Sequence, residues 1–158
     1  FRRIGLLKDP TNFGTTTVAS ASTRRQLFAA VFSSVSGTFT ADEEINQATT
    51  GAVGKVVEFD ATNKILYFYQ TRFPDVGTAT TGNLVAFSGA NAITGQTSSA
   101  AATPNTSSSA TVNAVVFASG YSNPELAYDS GDMIYVEERS PITRASDQTE
   151  NIKLIVEF

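Results

Sequence analysis

A chain of 158 residues carrying 16% charged side chains and a net charge of −4 can bury a core as one domain or two small ones, and offers nothing to phosphates or an anionic membrane. It holds no histidine and no cysteine, which removes the commonest general base, the commonest transition-metal ligand, every disulfide and every thiolate metal site. No apolar run reaches membrane-spanning length and no signal peptide is visible.

Phe1 to Leu7 reads as a short strand already under way, as expected of the ordered part of a longer protein. It is stopped by Lys8-Asp9-Pro10, where proline turns Asp9 away from helix. Thr11 to Thr17 is turn-like, with Gly14 after Phe13. Thr23 to Phe32 fits either a helical turn capped by Ser22 or Thr23 or a strand, and Val31-Phe32 favours strand. Phe39 to Phe59 reads as strand, turn and strand, with Thr49-Thr50-Gly51 as the turn. Asp60 to Lys64 is a polar reversal. Ile65 to Gln70 is the strongest strand signal in the chain.

Phe39, Ile45, Thr49 and Ala52 recur as Phe87, Ile93, Thr97 and Ala100 at a constant offset. Two readings stay open: a duplicated β-unit, or chance matching in a Thr-, Ser- and Ala-rich composition. Val76 to Pro124 contains no charged residue at all, and Thr94 to Thr111 is low in complexity. That stretch is expected to be a long loop or mobile tip. Val112 to Phe117 returns to strand.

Asp129-Ser130-Gly131 before a strand reads as turn chemistry; a calcium loop would need more acids at alternate positions. Met133 to Glu137 alternates, with Ile134 and Val136 on one face, as in a half-buried strand. Ile152, Leu154, Val156 and Phe158 share a face of a final strand that is expected to dock into a sheet. Between these strands lies a polar loop, Glu138 to Asn151, holding Arg139, Arg144, Asp147 and Glu150. It is either an exposed loop with self-paired charges or a docking loop whose arginines form forked pairs with a partner's carboxylates. Arg2-Arg3 and Arg24-Arg25 are expected to stay exposed or to meet acids of a neighbouring subunit. Glu43-Glu44 and Glu137-Glu138 are read as solvated strand faces rather than a two-carboxylate hydrolytic site, because Glu137 and Glu138 point to opposite faces if their strand continues.

The fold expected from these segments is mainly β. Roughly seven to nine short antiparallel strands form a sandwich-like or layered sheet arrangement, with long polar loops and little helix. Residues 1–38 and 112–158 are read as a terminal β domain formed by the two ends. Residues 39–111 are read as an inserted module carrying the low-complexity loop 94–111.

The end of the chain, GDMIYVEERSPITRASDQTENIKLIVEF, resembles the C-terminus of the T4-type phage baseplate wedge subunit family. The resemblance is carried by Glu138, Arg139, Pro141, Ile142, Arg144, Asp147, Gln148, Glu150, Asn151, Ile152, Lys153 and Phe158, and by the opening Arg3-Ile4-Gly5-Leu6-Leu7-Lys8-Asp9-Pro10. It implies the C-terminal part of a non-enzymatic wedge component of a contractile tail, assembled in the host cytoplasm into the virion. Its implied partners are other wedge proteins and a second copy of itself, without cofactor, metal, nucleic acid or membrane. Two rival readings are a tail-tip β-domain that binds host sugar through Tyr67, Tyr69 and Phe73, and a carboxylate glycosidase acting on cell wall.

Overall fold

The computed structural model describes residues 3–20, 25–71, 85–127 and 130–138. Among these there is no helix, and the regular elements are strands in antiparallel pairs. The fold is mainly β, as the short β-branched and aromatic runs require. The strands are β1 (Arg3–Lys8), β2 (Phe28–Val31), β3 (Glu44–Gln47), β4 (Ala52–Asp60), β5 (Ile65–Gln70), β6 (Ile93–Gly95), β7 (Ala101–Ala102), β8 (Thr111–Val112), β9 (Val115–Val116), β10 (Tyr121–Ser122) and β11 (Asp132–Glu138).

Local chemistry sets the turns. Asp60 Oδ1 accepts from the amides of Thr62 and Asn63, each at 3.0 Å, and Lys64 takes φ 55° to start β5. Within the ambiguous stretch Thr23 to Phe32, Phe28–Val31 is strand. Phe28 and Ala30 of β2 face the same interior as Leu66 and Phe68, and the rings of Phe28 and Phe68 stack with centroids 5.9 Å apart.

Seven strands form one sheet in the order β10-β2-β5-β4-β3-β6-β7. The sheet curls until its far strand meets the segment that follows β2. Ser36 and Ala101 exchange both backbone hydrogen bonds at 2.9 Å, Phe32 bridges Pro104, and Asn105 donates to Val31 O at 2.8 Å. Closure leaves little unpaired edge to invite another chain. The sheet draws β2 and β10 from residues 1–38 and 112–158, and β3 to β7 from residues 39–111.

The interior of the curl is the main core, including Phe32, Phe39, Ile45, Val56, Leu66, Phe68, Phe87 and Ile93, all buried. A second, smaller core lies on the outer face of β2 and β5. There Ala29, Val31 and Ile65 pack against Val115 and Phe117, which belong to the β8–β9 hairpin and its continuation. The layered arrangement expected from the sequence is realised here: β5 is covered on both faces. Each large side chain so buried contributes about 1.5–3 kcal/mol.

The sequence recurrence is structural. The β3–β4 and β6–β7 hairpins share one register: Ile45 faces Gly54 as Ile93 faces Ala102, and Asn46 faces Val53 as Thr94 faces Ala101. Thr50 Oγ1 accepts from the Ala52 amide at 3.2 Å, and Ser98 Oγ accepts from the Ala100 amide at 3.1 Å. Gly51 and Ser99, at equivalent places, both have positive φ. The hairpins meet through β3 and β6, where Asn46 pairs with its own equivalent, Thr94. That pair lies on a local two-fold axis.

Two buried polar residues of β3 and its lead-in tie the copies together. Glu43 Oε1 accepts from the Thr40 amide (2.7 Å) and the Ser98 hydroxyl (2.8 Å); its Oε2 accepts from the amides of Thr97 (3.1 Å) and Ser98 (2.9 Å). A Cβ on Gly95 would come within 2.6 Å of Glu43 Oε2, so the carboxylate depends on a glycine there. Gln47 donates to Asn91 O and the Tyr121 hydroxyl, and accepts from the Ser88 amide and the Thr50 hydroxyl.

The low-complexity stretch Thr94 to Thr111 departs from expectation. It is not an open loop; it supplies β6, β7 and the start of β8, with Ala100 and Ala102 in the main core. Its small side chains carry little apolar area, which is why the sequence hides them, but they permit close approach. A Cβ on Gly37 would lie only 3.2 Å from Ala100 Cα.

Candidate assembly surface

Among the described residues, the remaining sheet has two strands. β1 and β11 pair antiparallel, from Arg3 opposite Glu138 to Lys8 opposite Asp132, with a bulge at Leu6/Leu7. The ribbon is rooted in the body at one end. The Thr11 amide donates to Ser130 Oγ at 2.9 Å, and the Ser130 hydroxyl donates to Ala127 O at 2.9 Å. Gly131, at φ 89°, lets the chain pass against Lys8 O and Pro10, where any Cβ would meet atoms at 2.9–3.1 Å. Ser130 and Gly131 thus serve as the turn and anchor of β11.

Away from this root the ribbon is apolar and open. Leu6 is 52% exposed, Met133 60%, Ile134 61% and Val136 61%, and Ile4, Leu7 and Tyr135 are also exposed. The alternation Ile134/Val136 suggested one buried face; instead both faces of β11 stand clear of the body, because neither core cluster extends to them. A two-stranded ribbon is marginal alone in water, and a contiguous exposed apolar patch marks a contact surface. Polar groups sit at its margins: Glu137 accepts from the Tyr135 hydroxyl at 3.1 Å, and Lys8 lies 3.7 Å from Asp9.

Arg139, Arg144, Asp147 and Glu150, expected to form a docking loop, lie outside the described residues, as do Arg2, Arg24, Phe73, Asp129 and the expected final strand Ile152 to Phe158. Arg25 corrects the reading of the basic pairs. Its guanidinium turns inward, donating to Leu27 O, to Ser122 Oγ at 2.8 Å and to Asn123 O at 2.7 Å, while its backbone amide donates to Glu125. Burial lowers its pKa, and the field of Glu125 opposes that. Arg25 therefore holds the segment leading into β2 against β10.

Glu43 and Glu44 do not form a hydrolytic pair. Glu43 is buried with both oxygens occupied, whereas Glu44 beside it is exposed. Burial pushes the Glu43 pKa up, but the hydrogen bonds from Ser98, Thr40 and Thr97 outweigh it and hold the group below its ordinary value. Among the described residues, no three side chains of the His, Cys, Asp or Glu type gather as metal ligands. Among the described residues no helix is long and apolar enough to cross a membrane. Tyr67 packs against the second core while Tyr69 is exposed, so the two tyrosines divide between core and surface.

The residues that make the surface were visible as strands but not as a surface. Ile4, Leu6, Leu7 and Met133 to Val136 carry no charge pattern or motif. The available signal was the unbroken apolar run in β11, longer than a strand with one wet face requires. The family described as Bacteriophage T4, Gp8 matches residues 63–158, a span that takes in β5 to β11. No curated protein and no solved structure matches the chain.

Proposed function

As the chain belongs to the Bacteriophage T4, Gp8 family, and so to the structural proteins of the phage baseplate in the virion, we propose that it works by stoichiometric, non-enzymatic assembly, using the β1–β11 ribbon as its principal contact surface. The observation that carries this reading is the apolar ribbon, open on both faces and rooted in a closed sheet. A second copy of the chain and other wedge proteins are the partners that cover it, forming a homodimer within the wedge of a contractile tail, assembled in the host cytoplasm. Arg139 and Arg144 form forked ion pairs with a partner's carboxylates, and Asp147 and Glu150 complete the partner-binding set. The closed sheet is the rigid body through which load passes when the tail contracts.

The test is a pair of variants mixed with the other baseplate proteins. Leu6→Ser with Val136→Ser is expected to abolish incorporation while leaving a folded chain. Arg139→Ala with Arg144→Ala is expected to weaken incorporation without unfolding. Normal incorporation of the first variant overturns the ribbon as the surface; normal incorporation of the second removes the arginines from it.

A further inference from the structure

We propose that the two related hairpins carry one site for a buried acceptor oxygen, built twice about the local two-fold axis and filled from the two ends of β3: by the carboxylate of Glu43 in one site and by the carboxamide of Gln47 in the other. Neither site draws on the β1–β11 ribbon. The match runs residue by residue, at the offset that relates Phe39 to Phe87. In the first site Glu43 Oε1 accepts from the Thr40 amide at 2.7 Å and from the Ser98 hydroxyl at 2.8 Å, and that hydroxyl accepts from the Ala100 amide. In the second site Gln47 Oε1 accepts from the Ser88 amide and from the Thr50 hydroxyl, each at 2.9 Å, and that hydroxyl accepts from the Ala52 amide. Thr40, Ser98 and Ala100 are the offset equivalents of Ser88, Thr50 and Ala52. Each of these donors recurs, whereas the residue that supplies the oxygen does not.

The two positions that differ explain each other. The offset equivalent of Glu43 is the shorter Asn91, and the equivalent of Gln47 is Gly95. Asn91 turns its side-chain amide to Ser88 O at 2.8 Å and leaves the second site to Gln47. A Cβ built on Gly95 points into the first site, 2.6 Å from both Glu43 Oε2 and Ser98 Oγ, so a side chain there would enter the space that Glu43 fills. A long side chain at one position thus goes with a short residue at the other. The surroundings then choose the chemical group. In the first site Glu43 Oε2 meets the amide donors of Thr97 at 3.1 Å and Ser98 at 2.9 Å, so a second acceptor is needed and a carboxylate supplies it. In the second site Gln47 Nε2 meets Asn91 O at 2.8 Å and the Tyr121 oxygen at 3.1 Å, whose own proton goes to Gly89 O, so a donor is needed and a carboxamide supplies it. The β3–β6 seam pairs only two residues of each strand. The two sites clasp it at both ends, where a slip of one residue would leave buried polar groups unmet.

A double-mutant cycle in denaturant unfolding of the full chain tests the exchange of roles. Glu43→Asn with Gly95→Gln gives the first site the filling of the second. Each single change is expected to lower the unfolding midpoint, Glu43→Asn by emptying the site and Gly95→Gln by crowding it. The double variant is expected to be more stable than either single variant, because each change relieves the other. A double variant that fails to exceed both overturns the proposal. A single variant that does not fold leaves the cycle readable, since a folded double variant is then the rescue. A second measurement uses the unaltered chain. As pH falls from neutrality, the amide resonances of Thr40, Thr97 and Ser98 are expected to shift together with one midpoint below 4.5, while the chain is still folded. The Ser88 amide is expected to stay still, because the carboxamide it meets does not titrate. A Thr40 amide without that transition, or a Ser88 amide that shares it, overturns the proposal.

Discussion

Two strands of this molecule carry nearly the same letters and meet opposite fates. β5 reads Ile65-Leu66-Tyr67-Phe68 and β11 reads Met133-Ile134-Tyr135-Val136. Each pairs antiparallel with a neighbour across a bulge, at Val56/Glu58 for β4–β5 and at Leu6/Leu7 for β1–β11. Ile65, Leu66 and Phe68 are almost wholly buried; Met133, Ile134 and Val136 are more than half exposed. A strand with one wet face alternates, whereas a continuous apolar run wants a layer on both sides. For β5 the chain supplies both layers, the curled interior and the β8–β9 hairpin. For β11 neither core cluster supplies one. The difference teaches that the apolar run specifies the need for cover and says nothing of who provides it.

The sharpest way to break this comparison is to truncate the matched positions. Phe68→Ala empties a buried site, where Phe28 stacks on the ring and Phe87 meets it edge to face, and is expected to cost about 3–5 kcal/mol in denaturant unfolding. The matched change in β11, Val136→Ala, is expected to move the unfolding midpoint by less than about 0.5 kcal/mol, because an exposed side chain loses little on truncation. A large loss from Val136→Ala in the isolated chain would mean that the chain covers its own ribbon.

Glu43 probes what holds the buried region in register. Glu43→Gln exchanges one acceptor oxygen for an amide that faces donors, so about 1–3 kcal/mol is expected to be lost. The pH dependence follows the same group. Its folded pKa is lowered, so its contribution is complete above the ordinary value of 4.5 and fades as pH falls through the lower folded value. Unfolding measured from neutrality to below that value should show a decline that Glu43→Gln flattens. Asp60, held low by Asn63 and Thr62, adds a decline of the same sign that survives the substitution.

The smallest expected effect is a gain. Asn113 and Ala114 turn the β8–β9 hairpin with φ 47° and 62°. Asparagine tolerates that region, alanine does so under strain, and Asn-Gly is the favoured pair. Ala114→Gly should raise stability by about 0.5–1 kcal/mol and, by firming the layer over β5, leave the ribbon untouched.

What the sequence made legible was local. The reversal at Asp60–Lys64 and the bounds of β5 follow from side chains acting on their own neighbourhood, and they stand where they were expected. The offset recurrence was also legible as letters, although only the shared register of the two hairpins separates it from chance. What stayed hidden depends on partners distant in the chain. Ala100 and Ala102 are core only because the sheet curls back on the segment after β2. Arg25 looked like a free surface charge because its acceptors on Leu27, Ser122 and Asn123 are set mostly by the closing of β10 onto β2. The open faces of β11 showed in the sequence only as an unbroken apolar run, since exposure is a property of what fails to arrive.

The root of the ribbon has a consequence in time. The hydrogen bond from Thr11 to Ser130 joins residues 119 apart, and β1 with β11 closes a loop that contains the whole curled sheet. Closing so long a loop before the intervening chain is compact carries the full entropic penalty of an unfolded segment of that length. Once the sheet has curled, its own geometry brings the two ends together and the ribbon zips from the root outward. Contacts of such sequence separation form late. The contact surface proposed above therefore comes into being only on a chain whose body is already folded.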